Sequence, residues 1–230
     1  MKHVGIVGVS AEGASLCYKT IVSESSKMLG ANIHPEITLN NPSFSEIIKA
    51  QNKKDWGKVT DILLESVSKL KKAGADFAVI PANSVHFAID ALNKNTKLPI
   101  ISIVDATVQK CFEGGYKKVL VLGIGITMSD GLYDKKLKEM GIMSVTPKEK
   151  DQKEINMLIY SELVQGVFKI LTINYFLKLI NNYKKQGCDA VILGCTELPL
   201  ILNDKISPIP TLDTTDILAK EAVKNSIDIK

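Results

Sequence analysis

The chain contains no arginine, so all 29 residues in its lysine-plus-arginine count are lysines. This absence removes the planar guanidinium fork that most often holds carboxylates and phosphates in a bidentate manner. The lysines lie beside acids, as in the segment KEKDQKE, and the net charge is only +4. Solvated lysine faces explain this pattern better than a nucleic-acid surface does. We therefore expect no nucleic-acid partner.

Long hydrophobic runs are also absent, although 45% of the residues are apolar. No run approaches the roughly 20 apolar residues that a membrane-spanning helix needs. The opening segment MKHVGIVGVS is typical of a buried strand and contains no signal-cleavage pattern. We expect a soluble, cytoplasmic protein with no membrane partner.

Cysteine is scarce, and the four cysteines form no C-x-x-C pair and lie at no metal-ligand spacing from a histidine. This pattern predicts free thiols in a reducing compartment and no metal site. We expect Cys17 and Cys111 to be ordinary buried side chains. The chain also lacks a complete glycine fingerprint for a dinucleotide and a Walker lysine, so we expect no nucleotide site.

Short apolar runs alternate with longer segments of helical period, which is typical of βαβ units and a parallel sheet. The predicted strands are His3–Val9, Glu36–Leu39, Asp76–Pro81, Pro99–Ile103, Lys118–Gly123, Asp189–Gly194 and Ile206–Thr211. The predicted helices are Asp55–Ala73, Ser129–Met140, Ile155–Ile170 and Thr172–Gln186, with the last two separated by a break near Leu171–Thr172. These elements predict an α/β fold.

An internal repeat divides the chain into two similar halves. The segment KKAGADFAVIPANSVHF, followed by LPIISIVDAT, is matched by KKQGCDAVILGCTELPL, followed by SPIPTLDTT. Three pairs share a spacing of 113 positions (187 − 74 for the first): Gly74 and Gly187, Asp76 and Asp189, Ala82 and Cys195. Farther along, Asp105 matches Asp213 at a shorter spacing.

The repeat predicts two similar lobes with parallel sheets, related by a pseudo-twofold axis. We expect residues 1–104 plus 212–230 to form the first lobe and residues 105–211 to form the second. Ligands of parallel sheets bind beyond the carboxyl ends of the strands, where both repeated motifs end. We therefore expect Ala82 and Cys195 to face each other across an active-site cleft between the lobes.

Cys195 follows a predicted strand in the segment LGCTELP. We expect a short helix to begin near Glu197–Leu198, with Thr196 as its N-cap. Backbone N–H groups and the positive end of the helix dipole favour a thiolate at such a place. A thiolate is both a base and a nucleophile, whereas the alternative is a thiol that is simply buried.

Polar residues also follow other predicted strands. Asn83 and Ser84 in PANSVH are able to hold a carboxylate or an amine, or they form an Asx-type turn before a helix. Ser10 and Thr127 close the first strand of each lobe, where hydroxyl and backbone N–H groups bind anions. We interpret His86 as a residue that orients its loop rather than as a catalytic acid.

These segments resemble the aspartate/glutamate racemase family, within the wider group of Asp/Glu/hydantoin racemases. LGCTELPLIL and PANSVH resemble its two signature segments, and GIVGVSAEGASLCYKTI and LGIGITMSDGLY fit as well. The resemblance implies a homodimeric racemase of aspartate, glutamate or a related amino acid that needs neither pyridoxal phosphate nor another cofactor. In this chemistry one thiolate removes the α-proton, and a second thiol returns a proton to the opposite face.

The resemblance makes Cys195 the second catalytic cysteine and places Ala82 where the first one belongs. It also implies a set of residues that hold the carboxylate and amine of the substrate: Asn83, Thr127 and Thr196, with Ser10 and Tyr133 as weaker candidates. Some family members read a distal carboxylate with an arginine. This chain has no arginine, and Lys169 is the substitute that it offers. An apolar or small amino acid is therefore a further candidate substrate beside aspartate and glutamate.

Alanine cannot donate or accept a proton, which leaves three interpretations of Ala82 open. Another group, such as Ser84 or a bound water, supplies the second proton. Alternatively, the chain is a natural one-cysteine member with a changed reaction, such as a decarboxylase-like lyase acting on a carboxylic acid. In the third interpretation, Ala82 is an engineered substitution in an impaired variant that only binds its ligand.

Overall fold

The computed structural model describes residues 1–227, which divide into two compact units. The first unit comprises Met1–Ala106 and the described residues from Thr215 onward, and the second comprises Thr107–Thr214. Each unit contains one four-stranded, fully parallel sheet. The predicted α/β fold with two parallel sheets is therefore confirmed.

The sheet of the first unit has the strand order β2-β1-β3-β4. Its strands are β1 (Val4–Val7), β2 (Ile37–Asn40), β3 (Phe77–Val79) and β4 (Ile100–Ile101). Its helices are α1 (Ala11–Leu29), α2 (Phe44–Asn52), α3 (Trp56–Lys72), α4 (Ile89–Asn95) and the start of α5 (Ile103–Glu113), and a 3₁₀ helix covers Ser84–Ala88. The chain crosses into the second unit within α5.

The sheet of the second unit has the order β6-β5-β7-β8, which repeats the topology of the first. Its strands are β5 (Lys118–Gly123), β6 (Met143–Val145), β7 (Ala190–Gly194) and β8 (Thr211–Asp213). The helices that follow α5 are α6 (Gly125–Ser129), α7 (Asp134–Glu139), α8 (Glu149–Ser161), α9 (Ile170–Lys185) and α10 (Thr214–Ser226), with 3₁₀ helices at Leu163–Gln165 and Leu198–Leu200. The chain returns to the first unit within α10.

The repeated glycine and aspartate residues have the same structural role in both units. Gly74 and Gly187 lie in the loops after α3 and α9 with φ angles of 95° and 90°. Residues other than glycine rarely adopt this backbone conformation. Asp76 and Asp189 each accept a 2.7 Å hydrogen bond from a backbone N–H at the start of the neighbouring strand. The sequence repeat thus reflects the same loop conformation and the same hydrogen bond at the start of a strand in both units.

The sheet register changes the match that the sequence suggested for Asp105. β4 pairs with β3 as β8 pairs with β7, which places Ile100 and Thr211 in equivalent positions, 111 residues apart (211 − 100). The same spacing matches Asp105 with Asp216, and each lies in the first turn of its helix, α5 or α10. The predicted match with Asp213 is therefore wrong, because residue 213 is still part of β8.

The last predicted strand, Ile206–Thr211, is also wrong in position, since the strand there is Thr211–Asp213. Asp204 explains the difference, because its Oδ1 accepts hydrogen bonds of 2.7 Å from both the backbone N–H and the hydroxyl of Thr211. These bonds close the segment before β8 into a loop. The short edge strand β6 was not predicted because its three residues form no apolar run, and Met143, its first residue, is exposed.

Two predicted helices are interrupted at glycines in the left-handed region. Ser129–Met140 divides into α6 and α7 near Gly131, whose φ is 66°. Ile155–Ile170 ends early, since α8 stops at Ser161 and is followed by the 3₁₀ helix Leu163–Gln165, which Gly166 ends with a φ of 71°. The predicted break near Leu171–Thr172 is wrong, because α9 already begins at Ile170. No helix within residues 1–227 is long and apolar enough to cross a membrane.

Candidate active site

Cys195 directly follows β7, at the carboxyl end of the sheet in the second unit. β7 pairs with β5 up to its last residue, where Gly194 lies opposite Gly123. A Cβ on Gly123 would lie 3.0 Å from the Gly194 carbonyl oxygen and 3.0 Å from Cγ2 of Thr127. Glycine therefore permits a close approach here, and Thr127 and Cys195 follow the ends of neighbouring strands.

Cys195 and Thr196 both donate hydrogen bonds to one carboxylate oxygen of Glu197. The Sγ–Oε2 distance and the Thr196 Oγ1–Oε2 distance are both 2.8 Å. Glu197 is buried and Cys195 is partly buried. Burial, followed by the negative charge of Glu197, raises the pKa of the Cys195 thiol well above its usual value. The sulfur thus carries its proton at neutral pH.

The raised thiol pKa argues against the thiolate that the sequence predicted at a helix start. Only the 3₁₀ helix Leu198–Leu200 follows Cys195, and Thr196 donates to Glu197 instead of capping it. A single turn has few aligned peptide dipoles, so its positive end is weak. Backbone hydrogen bonds at residues 196 and 197 do lower the thiol pKa, but burial and the nearby carboxylate outweigh them.

Thr127 lies inside α6 and is 1% exposed. Its hydroxyl has no hydrogen-bond partner among residues 1–227. A buried hydroxyl without a partner costs about 1–3 kcal/mol in desolvation, which makes it a candidate contact for a bound ligand. The backbone N–H of Gly125 donates a 2.8 Å bond to Asn156 Oδ1, which ties α6 to α8.

Helix α8 contributes Tyr160, a residue that the sequence reasoning missed. Burial, followed by the charges of Cys195 and Glu197, raises the pKa of the Tyr160 phenol, so this side chain lies within electrostatic range of the pair. The buried face of α8 packs in the same apolar cluster that Cys195 contacts. In the sequence, the only signal for Tyr160 was its spacing of one helical turn from Asn156. That spacing is informative only once the bounds of α8 are known.

In the first unit, the loop after β3 is held by His86. Its Nδ1 lies 2.8 Å from the carbonyl oxygen of Ala82, and its Nε2 accepts a hydrogen bond of 3.2 Å from the backbone N–H of Ile103. A ring nitrogen that accepts from an N–H carries no proton, so His86 is neutral with its proton on Nδ1. This geometry supports the interpretation of His86 as a loop-orienting residue.

Three further predicted residues lie after strands of the first unit. Asn83 is buried, and the Ser84 hydroxyl accepts a 2.7 Å hydrogen bond from Gln51 Nε2. Ser10 is the N-cap of α1 and accepts a 3.1 Å bond from the Gly13 backbone N–H. All three therefore occupy the carboxyl-end loops of adjacent strands β1 and β3.

The structure does not bring two other predicted residues to the Cys195 group. Tyr133 is 1% exposed, and its phenol is hydrogen-bonded to Thr107 in the interior of the second unit. Lys169 precedes α9, and its ammonium lies 3.0 Å from Oε1 of Glu162. Tyr133 is thus an interior residue, and Lys169 already has an acidic partner.

The remaining cysteines show no sign of reactivity. Burial raises the pKa of Cys17 and of Cys111 to about 12, and Cys188 is buried as well. Within the described residues, no group of three or more histidine, cysteine or acidic side chains is placed to hold a metal ion. Cys195 is partly buried, whereas the other three cysteines are buried.

The repeated parallel sheets and the strand-end thiol beside a carboxylate define a class of α/β enzyme. The profile of the family described as Asp/Glu/Hydantoin racemase matches residues 6–222. The chain belongs to this family and is therefore an isomerase of the racemase class.

Individual relatives agree with this assignment. The chain is 28% identical over 178 residues to the broad specificity amino-acid racemase RacX of Bacillus subtilis, covering 74% of this chain and 73% of the relative. A crystal structure from Yersinia pestis, assigned provisionally as an Asp/Glu racemase, has a TM-score of 0.91 and 32% identity, with 98% and 99% of the two chains covered. An aspartate racemase homologue from Pyrococcus horikoshii has a TM-score of 0.87 and 30% identity, with the same coverage.

Proposed function

We propose that the chain is a cofactor-independent racemase of aspartate, glutamate or a related amino acid, in which Cys195 exchanges the α-proton. The observation that carries this proposal is the 2.8 Å hydrogen bond from the Cys195 thiol to Glu197 at the end of a sheet strand. RacX is a broad specificity amino-acid racemase, and the Pyrococcus horikoshii structure is that of an aspartate racemase homologue. Both names support amino-acid racemisation as the activity of this chain.

Glu197 is the immediate acceptor for the thiol proton in this mechanism. The proton moves from Sγ of Cys195 to Oε2 of Glu197 along their hydrogen bond, which leaves a thiolate and a neutral carboxyl group. The thiolate then removes the α-proton of the substrate, which gives a thiol and a carbanion. The carbanion takes a proton back from this thiol in simple exchange, or from a second donor, Ser84 or a water, in racemisation. Thr196 keeps the accepting oxygen in position through its own bond to Oε2.

The α-carboxylate and ammonium of the substrate need polar partners. We assign the unpartnered hydroxyl of Thr127 to the carboxylate, because a substrate oxygen would supply its missing hydrogen bond. Asn83, Ser84 and Ser10 are proposed as further substrate contacts from the carboxyl-end loops of the first unit. Homodimeric assembly and a cytoplasmic location belong to the same proposal and rest on the family resemblance.

The protonated state of Cys195 favours a second candidate, a one-cysteine lyase. Loss of carbon dioxide from an activated malonate-like acid leaves a carbanion, which a single thiol can protonate from one face. A thiol with a raised pKa keeps its proton at neutral pH, and this protonated form is the one that a strongly basic carbanion needs as a donor. Ala82 fits this reaction as well, because no second acid or base is required.

The test is α-proton exchange in D₂O, followed by proton NMR across L- and D-amino acids. We expect exchange with the wild type and with Cys188→Ala, which removes a buried thiol of the same unit, but none with Cys195→Ala. Chiral analysis of the same samples separates exchange with retention from racemisation. If no amino acid exchanges and a malonate-like acid loses carbon dioxide, the racemase proposal fails and the lyase replaces it. If neither reaction occurs, the chain only binds its ligand.

A further inference from the structure

Ser84 of the first unit corresponds to Glu197 of the second. The two residues lie 113 positions apart (197 − 84), which is the spacing that relates Ala82 to Cys195. Both are placed at the beginning of the 3₁₀ helix that follows β3 or β7. In the second unit this position carries the carboxylate that accepts the hydrogen bond of the thiol. Because Ala82 has no proton to give, the hydroxyl of Ser84 is the nearest equivalent group with a proton in the first unit.

Gln51 of α2 holds the Ser84 hydroxyl. Its Nε2 donates a hydrogen bond of 2.7 Å to Oγ of Ser84, and Gln51 is only 5% exposed. Ile47 and Ala50 of α2 pack in the same apolar cluster as Val85, the residue after Ser84. Apolar packing thus fixes the end of α2 against the loop after β3, and the hydrogen bond spans this contact.

The direction of this hydrogen bond determines where the Ser84 proton can go. An amide nitrogen only donates, so Oγ of Ser84 is the acceptor. The hydroxyl proton then needs a different acceptor, and no hydrogen bond within residues 1–227 uses it. A hydroxyl that accepts one hydrogen bond is also a stronger donor in the next, because neighbouring bonds polarise each other. Ser84 is only partly buried, so a ligand can reach this proton.

We propose that Gln51 is a positioning residue for Ser84, which keeps the hydroxyl proton available to the face of the carbanion that Cys195 does not serve. The inference rests on the proposed racemase function and selects Ser84, rather than a water, as the second proton donor. In this step the O–H bond of Ser84 breaks, and the electron pair of the carbanion forms a C–H bond at the α-carbon. The alkoxide left on Oγ keeps the hydrogen bond from Gln51, which stabilises its charge, and it takes a proton from water.

Two measurable rates separate the two proton donors. Exchange of the α-proton with solvent needs only Cys195, whereas formation of the opposite enantiomer also needs the second donor. A hydroxyl is a weaker acid than a thiol, so we expect the wild type to exchange its α-proton faster than it racemises. The ratio of racemisation to exchange therefore reports the second donor alone.

The experiment measures this ratio in D₂O for L-aspartate, L-glutamate and L-alanine, with exchange followed by proton NMR and the opposite enantiomer by chiral chromatography. Gln51→Glu keeps the shape of the side chain, but a carboxylate only accepts hydrogen bonds and would take the Ser84 proton for itself. We expect the ratio to fall at least about tenfold, while the exchange rate stays within about twofold. Ser84→Ala should lower the ratio equally. The double variant should lower it no further, because both substitutions act on one step.

Gln152→Glu is the matched control, because Nε2 of Gln152 likewise donates a 2.8 Å hydrogen bond, to the carbonyl oxygen of Pro147. Its ratio should equal that of the wild type. A preserved exchange rate shows that Gln51→Glu folds. If the buried carboxylate prevents folding, Gln51→Met removes the hydrogen bond without adding a charge, and it should lower the ratio at least about threefold.

Three results would count against the inference. An unchanged ratio in Ser84→Ala would overturn it in favour of a water, while the racemase function stands. An unchanged ratio in the Gln51 variant, or an equal loss of exchange and racemisation there, would overturn the positioning role. Absence of α-proton exchange in the wild type would instead overturn the proposed function, and this inference with it. The same series of measurements therefore distinguishes the two failures.

Discussion

The thiol of Cys195 and the carboxylate of Glu197 form a hydrogen-bonded pair in which Sγ lies 2.8 Å from Oε2. The carboxylate has two opposite effects on the sulfur. It raises the thiol pKa, because a thiolate beside it would be a second negative charge. It is also the nearest acceptor for the proton that the sulfur must lose before it can act as a base. Glu197 is therefore both the charge that opposes a thiolate and the group placed to receive its proton.

Glu197→Gln should lower the pKa of the Cys195 thiol, because the amide keeps the size of the side chain but removes its charge. Loss of a neighbouring like charge shifts a pKa by about one unit or more. The pKa should stay above its usual value, since burial is the largest cause of the shift. The pH profile of iodoacetamide labelling, followed by mass spectrometry, should move to lower pH, with Cys195→Ala as the unlabelled control. A profile that stays in place would show that Glu197 does not govern the thiol.

Thr127→Val should leave the free energy of unfolding unchanged or raise it by up to about 1 kcal/mol, because the hydroxyl removed has no partner. The same variant should lose substrate binding and raise KM about tenfold. Thr107→Val is the matched comparison, since the Thr107 hydroxyl bonds to the buried phenol of Tyr133. It should be destabilised by about 1–3 kcal/mol. Urea denaturation and steady-state kinetics check both variants, and equal destabilisation would refute this role of Thr127.

Ala82→Cys should increase racemisation relative to α-proton exchange, because it supplies a second thiol at the matching position of the repeat. A positioned acid or base contributes about a hundredfold or more. Ala91→Cys, on the exposed face of α4, controls for the mere addition of a thiol. Chiral chromatography of L-amino acid incubations measures the effect. No gain over Ala91→Cys would favour the lyase or the binding-only interpretation of Ala82.

Gly187→Ala should destabilise the protein by about 1–2 kcal/mol, because alanine is strained at its φ of 90°. No atom lies within 4 Å of the position that the new Cβ would occupy, so the cost comes from the backbone alone. Gly57→Ala in α3 should be neutral or slightly stabilising, since alanine has the higher helix propensity. Urea midpoints distinguish the two variants, and an unchanged midpoint for Gly187→Ala would contradict the strain.

The sequence was sufficient for features that depend on local pattern. The alternation of apolar runs and helical segments predicted both parallel sheets, and the repeat of Gly74 and Asp76 at Gly187 and Asp189 marked equivalent loops. These predictions succeeded because a buried parallel strand is continuously apolar and because a left-handed loop position selects glycine.

Other features depended on contacts that no local pattern contains. Burial of the Cys195 thiol, followed by the Glu197 side chain that turns back to it, gives a pKa shift opposite to the predicted direction. Tyr160 joins the site only because α8 packs beside β7 in one apolar cluster. The last strand begins later than predicted because Asp204 accepts two hydrogen bonds from Thr211, which hold the preceding segment as a loop.

In each unit, the residue that anchors the start of a central strand is distinct from the residue that follows the end of that strand. Asp189 secures the beginning of β7, whereas Cys195 lies after its end. Asp76 and Ala82 are arranged in the same way around β3. A substitution at the residue after the end of the strand can thus add or remove a reactive side chain without breaking the hydrogen bond at the start of the strand. A unit with alanine after this strand therefore keeps the hydrogen bond that anchors the start of the strand, and a different reactive side chain could take the place of Ala82 without disturbing it.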